Sequence, residues 1–145
     1  MKREQLRNSN AYVLCRSNDN NDTESYMLVS YETPIAIIDT EDKGYTLYVS
    51  DAFDYSQTTS THFTKFLLQF GVFRDGSDIT NFKKKIKQLR LERVSGMFGE
   101  IIDDSYYPDR YLFNRLPFSS CSVDWMHSVL DRWCDETSLF SDCEV

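Results

Sequence analysis

The sequence predicts one α+β domain, with an N-terminal antiparallel sheet of about four strands followed by about three helices. Short β-prone runs separated by polar turns fill residues 11–50, and helical spacing of apolar residues begins only after residue 60. This order of strands before helices differs from the alternating pattern of a parallel sheet. The length of 145 residues fits a single domain, and 41% apolar with 14% aromatic residues can supply a core.

The predicted strands occupy residues 11–16, 26–31, 35–39 and 45–50. Asn and Asp side chains at residues 18–23 predict a turn after the first strand, because they hydrogen-bond to nearby backbone. Pro34 lacks a backbone donor, so it should lie at the start of the third strand or at a sheet edge. The polar residues 1–10 should be loose.

Two apolar stripes with helical spacing predict the first two helices: Phe63, Phe66, Leu67 and Phe70, then Ile79, Phe82, Ile86 and Leu89. A third helix is predicted over residues 123–136, after an irregular aromatic segment at residues 101–116 with short helical or extended pieces. The acidic residues 137–145 should be loose. The candidate N-caps are, in chain order, Thr58, Thr59 or Ser60, then Asp78 or Thr80, then Ser120 or Ser122.

The negative charge is concentrated in the last third of the chain. Residues 1–99 contain 13 Lys/Arg and 13 Asp/Glu, whereas residues 100–145 contain 3 Arg and 10 Asp/Glu. Such a surface could bind a basic partner, as a nucleic-acid mimic would, or could simply increase solubility. Residues 106–111, which contain three Tyr and one Arg, are typical either of a binding hot spot or of core filling beneath a loop. The predicted partner-binding residues are Asp103, Asp104, Tyr106, Tyr107, Asp109, Arg110, Tyr111, Asp131, Asp135 and Glu136.

Two further segments could contact an anion or a nucleic-acid backbone. The hydroxyl-rich residues 56–62 precede a helix, where backbone N–H groups attract anions, and the second helix has a basic face. The candidates are Thr58, Thr59, Ser60, His62, Lys83, Lys84, Lys87 and Arg90. The alternatives are helix capping and a solvated basic face, or a nucleophile and base formed by a hydroxyl with His62.

No cofactor or metal site is predicted. The four cysteines form no CxxC pair, and no carboxylate spacing matches a known metal loop. The start of the chain has no apolar signal region, and no run of 18 apolar residues suggests a membrane span. We therefore expect a cytoplasmic protein with reduced thiols.

Residues 30–36 (SYETPIA) and 55–62 (YSQTTSTH) resemble a family of small uncharacterised bacteriophage and prophage proteins with the pattern SY-x-TP-[VI]-A…YS-x-TTS-x-H. The similarity covers about residues 26–70. The position before the histidine is often basic in that family but is Thr61 here. The resemblance implies a phage origin and assigns no activity. The matching residues are Ser30, Tyr31, Thr33, Pro34, Ala36, Tyr55, Ser56, Thr58, Thr59, Ser60 and His62.

Small acidic phage proteins resemble inhibitors of host defence, including anti-CRISPR proteins. By this analogy we expect a non-enzymatic inhibitor in the host cytoplasm that binds a CRISPR effector or another nuclease complex. The alternative is a nucleic-acid-binding accessory or regulatory protein that uses the basic helix at residues 83–93. A third alternative is a hydrolase or transferase built on residues 56–62.

Overall fold

The computed structural model describes residues 2–5, 10–17, 24–40, 45–70, 72–94, 109–113 and 116–136. These residues form an α+β fold, as the sequence predicts. In chain order the elements are β1 (Lys2–Gln5), β2 (Ala11–Ser17), β3 (Glu24–Ser30), β4 (Thr33–Asp39), β5 (Thr46–Ser50), α1 (Gln57–Gln69), α2 (Gly76–Val94), β6 (Asp109–Phe113), β7 (Leu116–Cys121) and α3 (Val123–Glu136).

The strands form one mixed sheet of seven, in the order β1-β2-β3-β4-β5-β7-β6. The four predicted strands, β2 to β5, pair antiparallel with their chain neighbours and make up its centre. β7 pairs parallel with β5, and β6 pairs antiparallel with β7. A parallel neighbour needs a long crossover, and the segment containing α1 and α2 connects β5 to this side of the sheet.

Helices pack on both faces of the sheet. α1 and α2 cover one face, where residues such as Leu28, Val49 and Phe118 contact Phe63 and Phe82 in a single apolar cluster. α3 covers the other face, where a second cluster contains Met27, Ile37, Met126 and Trp133. Because successive side chains of a strand point to opposite faces, strands buried on both sides are apolar at adjacent positions.

A β-bulge lies where β4 begins. The pairing register shifts so that Pro34 is opposite Val29 and Ala36 is opposite Leu28, which leaves Ile35 as the extra residue. Ile35 and Ala36 both join the cluster under α1 and α2. Pro34 is the second residue of β4, in agreement with its predicted position at a strand start.

Three strands lie outside the predicted set. Lys2–Gln5 form the edge strand β1, in contrast to the loose terminus expected for residues 1–10. Within the segment at residues 101–116, predicted to be irregular with short helical or extended pieces, residues 109–113 form β6 and Leu116 begins β7. Residues 101–108 and 137–145 lie outside the described part of the chain.

Two of the three N-cap predictions are wrong. α1 begins at Gln57, and Ser56 is its N-cap, with Oγ accepting a hydrogen bond from the Thr59 backbone N–H at 3.0 Å. Thr58, Thr59 and Ser60 therefore lie inside the helix. At the start of α2, Asp75 Oδ1 accepts from the backbone N–H groups of residues 77 and 78, so Asp78 and Thr80 are helical. For α3, Ser122 is confirmed, since its Oγ accepts from the Trp125 N–H.

Candidate functional site

His62 joins α1 to the end of β3 through a buried hydrogen bond. Its Nδ1 atom lies 2.7 Å from Oγ of Ser30, and the two residues are only 2% and 1% exposed. They are 32 residues apart in the chain and lie in the two separate blocks of the phage-protein resemblance. The sequence could have indicated this contact only through the assumption that residues 30–36 and 55–62 pack against each other.

A chain of hydroxyl groups favours one direction for this hydrogen bond. Ser56 Oγ donates to Thr59 Oγ1 at 3.1 Å, and Thr59 Oγ1 lies 3.4 Å from Ser30 Oγ. Since Thr59 accepts from Ser56, its own hydrogen is available to Ser30, and that of Ser30 is available to Nδ1 of His62. The network therefore favours neutral His62 with its proton on Nε2. Burial, and to a smaller extent Lys65, lower the pKa of His62, which also favours the neutral ring.

The turn between β3 and β4 places an exposed aromatic ring beside His62. Tyr31 and Glu32 have positive φ angles of 49° and 69°. Residues other than glycine adopt this left-handed backbone conformation at a cost of about 1–2 kcal/mol each. Tyr31 is 53% exposed, and its ring centroid lies 5.8 Å from that of His62. The Tyr31 N–H donates to the carbonyl oxygen of Asn10, which anchors the turn to the start of β2.

A cleft of about 410 Å³ runs along α1 beside this turn. Gln57, Thr58, Thr61, His62 and Lys65 line it from the helix. On the opposite side it is bounded by Asn10 and Tyr31. Of the predicted contact residues Thr58, Thr59, Ser60 and His62, Thr58 and His62 line this cleft. Neither Tyr31 nor Lys65 was among the predicted contact residues. Only the fold brings Tyr31 to His62, whereas Lys65 is three residues after His62 on α1, a spacing that could have identified it.

The serine that meets His62 belongs to β3 and is not one of the hydroxyl residues at 56–62. Its burial keeps Oγ away from any substrate carbonyl, which must lie within about 3–3.5 Å of a nucleophile before reaction. The Ser30–His62 pair is therefore suited to holding the ring in place. Thr59 and Ser60 make internal contacts too, because Thr59 belongs to the hydroxyl chain and Ser60 bonds to α2.

Two of the four predicted cationic contacts are used inside the fold. Lys83 Nζ donates to the carbonyl oxygen of Ser60 at 2.9 Å, to its Oγ at 2.8 Å and to Thr64 Oγ1 at 2.6 Å, so it joins α2 to α1. Burial lowers the pKa of Lys83, an effect that Lys87 increases. Lys84 is exposed on the surface of α2.

Arg90 forms a two-bond ion pair with Asp54. Its Nη1 and Nη2 atoms lie 2.8 and 3.0 Å from the two carboxylate oxygens, and Nη1 also donates to the carbonyl oxygen of Asp51. Lys87 Nζ approaches the same carboxylate at 4.0 Å. The hydrogen bond from Arg90 is the largest influence on Asp54 and lowers its pKa below the ordinary 3.8. This part of the basic face therefore fastens α2 to the loop after β5.

The predicted acidic surface is described only in part. Asp103, Asp104, Tyr106 and Tyr107 lie outside the described residues. Asp109 and Arg110 belong to β6, and Tyr111 is half-buried with its ring 5.5 Å from that of Phe118. Asp131 and Asp135 are exposed on α3, together with Asp124, which was not among the predicted contacts; Glu136 is the last residue of the helix.

The three exposed carboxylates lie along one line of α3. At 3.6 residues per turn, the spacings of seven and four residues place Asp124, Asp131 and Asp135 within about 40° of each other around the helix. Within the part of the chain that the structure describes, none of the three has an ion-pair partner. α3 thus presents a negatively charged ridge, which we call the α3 acidic face.

The matched segment of the chain contains the whole Ser30–His62 region. A model described as a family of unknown function (DUF8033) matches residues 1–86, from β1 into α2. The chain belongs to this family. No curated protein and no solved structure matches the chain. The α3 acidic face lies outside the segment matched by the DUF8033 family, whereas the cleft along α1 lies within it.

Two further results concern the described residues alone. No three His, Cys, Asp or Glu side chains come together there as a metal-binding group. None of the helices in those residues is both long and apolar enough to cross a membrane.

Proposed function

We propose that this protein is a non-enzymatic binding protein whose α3 acidic face docks on a basic, nucleic-acid-binding surface of another protein. In line with the phage resemblance, the partner proposed is a nuclease complex of bacterial host defence. The observation that carries the proposal is the exposure of Asp124, Asp131 and Asp135 along one line of α3 with no described ion-pair partner. Complementary charge of this kind steers association and selects partners.

The charges of the two helical layers support this choice of surface. α1 and α2 together carry seven Lys/Arg and two Asp/Glu, whereas α3 carries one Arg and four Asp/Glu. The sheet separates the two layers, so among the described helices those on one face are net positive and the one on the other face is net negative. A basic partner would be attracted to the α3 side and repelled by the other.

The bonding of the α2 cations disfavours the alternative of nucleic-acid binding through residues 83–93. Lys83 and Arg90 already donate to Ser60, Thr64 and Asp54, so a phosphate backbone would have to compete with those contacts. Of the four predicted cationic contacts this leaves Lys84 and Lys87, and two phosphate contacts would release few counterions and give weak binding. A mobility-shift titration with duplex DNA at low salt distinguishes the two functions, because binding of the protein to the DNA would favour the nucleic-acid-binding alternative.

The proposal is tested by affinity capture from a bacterial lysate with matched charge variants. Asp131→Asn with Asp135→Asn removes two negative charges from the α3 acidic face. The control, Glu24→Gln with Glu32→Gln, removes two exposed negative charges outside α3, so both double variants have the same net charge. We expect the α3 pair to weaken capture by about threefold to tenfold at low salt, since each exposed ion pair contributes up to about 1 kcal/mol.

Two additional results are expected from the same capture. The difference between the variants should nearly vanish at about 1 M salt, where the Debye length is about 3 Å. Added duplex nucleic acid should release the captured partner, because both would occupy the same basic surface. Equal capture by the parent and the α3 pair, or a partner that duplex does not displace, would contradict the proposal.

A further inference from the structure

The cleft along α1 contains a buried histidine with one ring nitrogen left for a ligand. Nδ1 of His62 faces Ser30, so the opposite edge of the ring, which carries Nε2, lines the cleft. Only 2% of His62 is exposed, and among the described residues its Nε2 atom has no hydrogen-bond partner. Ser120 Oγ is the one fully buried side-chain N or O atom without a partner in the described residues, so Nε2 is open to the cleft and a ligand can reach it.

We propose that this cleft binds an oxyanion, the phosphate or carboxylate group of a small ligand, between Nε2–H of His62 and the ammonium group of Lys65. The hydroxyl chain from Ser56 through Thr59 and Ser30 favours the tautomer that donates from Nε2. A carboxylate or phosphate oxygen accepts from such a donor, and a nearby cation strengthens the contact.

The rest of the lining suits the same ligand class. Gln57 and Thr58 are exposed at the cleft and add an amide and a hydroxyl group, and none of the described lining residues is acidic. The volume of about 410 Å³ falls within the roughly 300–1,000 Å³ of small-molecule pockets. The exposed ring of Tyr31 forms an apolar wall that can pack against the uncharged part of the ligand.

The site is independent of the proposed docking function. It lies on the α1 and α2 side of the sheet, opposite the α3 acidic face, and within the segment matched by the family model. The Asp131→Asn with Asp135→Asn variant should therefore bind the oxyanion like the parent. Failure of one proposal leaves the other to be judged by its own experiment.

The first test is a titration of the whole protein with inorganic phosphate, acetate and adenosine monophosphate, followed in proton–nitrogen correlation spectra of the imidazole rings. The chain has two histidines, so His127 on α3 serves as an internal control. We expect the spectrum of the ligand-free protein to show the Nε2–H tautomer of His62. Phosphate or acetate should then shift the His62 signals in a saturable way and leave those of His127 unchanged.

Matched variants identify the binding groups. Lys65→Ala should weaken binding by about tenfold, the usual effect of losing one charge-assisted contact, whereas Lys84→Ala, an exposed lysine outside the cleft, should stay within about twofold. His62→Asn keeps an amide near the position of Nδ1, and so a partner for Ser30, but has no donor at the position of Nε2. It should remain folded and lose binding.

Three results would overturn the proposal. The first is no saturable shift of His62 with any of the three probes. The second is an equal loss of binding in Lys65→Ala and Lys84→Ala. The third is a folded His62→Asn variant that binds as well as the parent. Shifts by phosphate and by adenosine monophosphate with equal affinity would support the site and assign recognition to the oxyanion alone. Tighter binding of the nucleotide would support it and add Tyr31 as a contact.

Discussion

Replacing Ser30 with alanine is expected to lower the free energy of unfolding by about 2 kcal/mol, because it leaves Nδ1 of His62 buried without a hydrogen-bond partner. The second contact of the Ser30 hydroxyl, to Thr59 at 3.4 Å, is long and adds little. At about 2.1 cal/mol/K per residue over the chain, a loss of this size lowers Tm by about 7 °C.

Urea unfolding at neutral pH measures this effect. With a slope of about 2 kcal/mol/M, the midpoint should fall by about 1 M while the slope stays unchanged. Ser17→Ala is the matched control, since Ser17 is exposed at the end of β2, and it should change the free energy by less than about 0.5 kcal/mol. If Ser30→Ala is as stable as Ser17→Ala, the Ser30–His62 hydrogen bond does not hold α1 against the sheet as described.

Three other measurements test neighbouring contacts. Asp54→Asn should destabilise the protein by about 2 kcal/mol at pH 7, since Arg90 loses its half-buried carboxylate partner. Because the folded pKa of Asp54 is lowered, this difference should shrink as the pH falls below 3.8, and a constant difference would be inconsistent with the ion pair. Ser56→Ala should cost about 1 kcal/mol through loss of the N-cap, whereas Thr58→Ala should cost much less; equal losses in thermal melts would argue against Ser56 as the cap. Because the folded pKa of His62 is lowered from 6.5, the unfolded chain binds its proton more readily, so stability should fall as the pH drops below 6.5 until the folded pKa is reached. His62→Asn should lack that part of the pH dependence in denaturant titrations.

The sequence predicted the elements that rely on repeating apolar patterns. The four central strands and the helix over residues 123–136 agree with the structure to within two residues at each end. β1 was missed because the edge sequence KREQ has no apolar residue to mark a buried face. β7 was missed because its sequence LPFSSC contains Pro117, Ser119 and Ser120 and shows no simple alternation, although the strand is largely buried between β5 and β6.

The candidate sites show a sharper limit of sequence-based reasoning. A helical wheel places Lys83 and Arg90 on a basic face, but it cannot show that Ser60, Thr64 and Asp54 lie within reach of them. Those contacts depend on how α1 and α2 pack, over separations of 19 to 36 residues. The Ser30–His62 contact was missed for the same reason. The helical pattern relates His62 only to its neighbours in α1, and the contact depends on how α1 packs against β3.

The sheet turns an uneven distribution of charge along the chain into an uneven distribution in space. Helices on opposite faces of a sheet have axes on the order of 20 Å apart, which exceeds twice the Debye length of about 8 Å at physiological salt. The positive layer of α1 and α2 and the negative α3 acidic face therefore act on their surroundings as separate surfaces. An oxyanion at Lys65 and a basic protein at Asp131 could be bound at the same time, with little electrostatic coupling between them. Measuring phosphate affinity with and without the captured partner tests this, and a change greater than about threefold would require a coupling through the sheet itself.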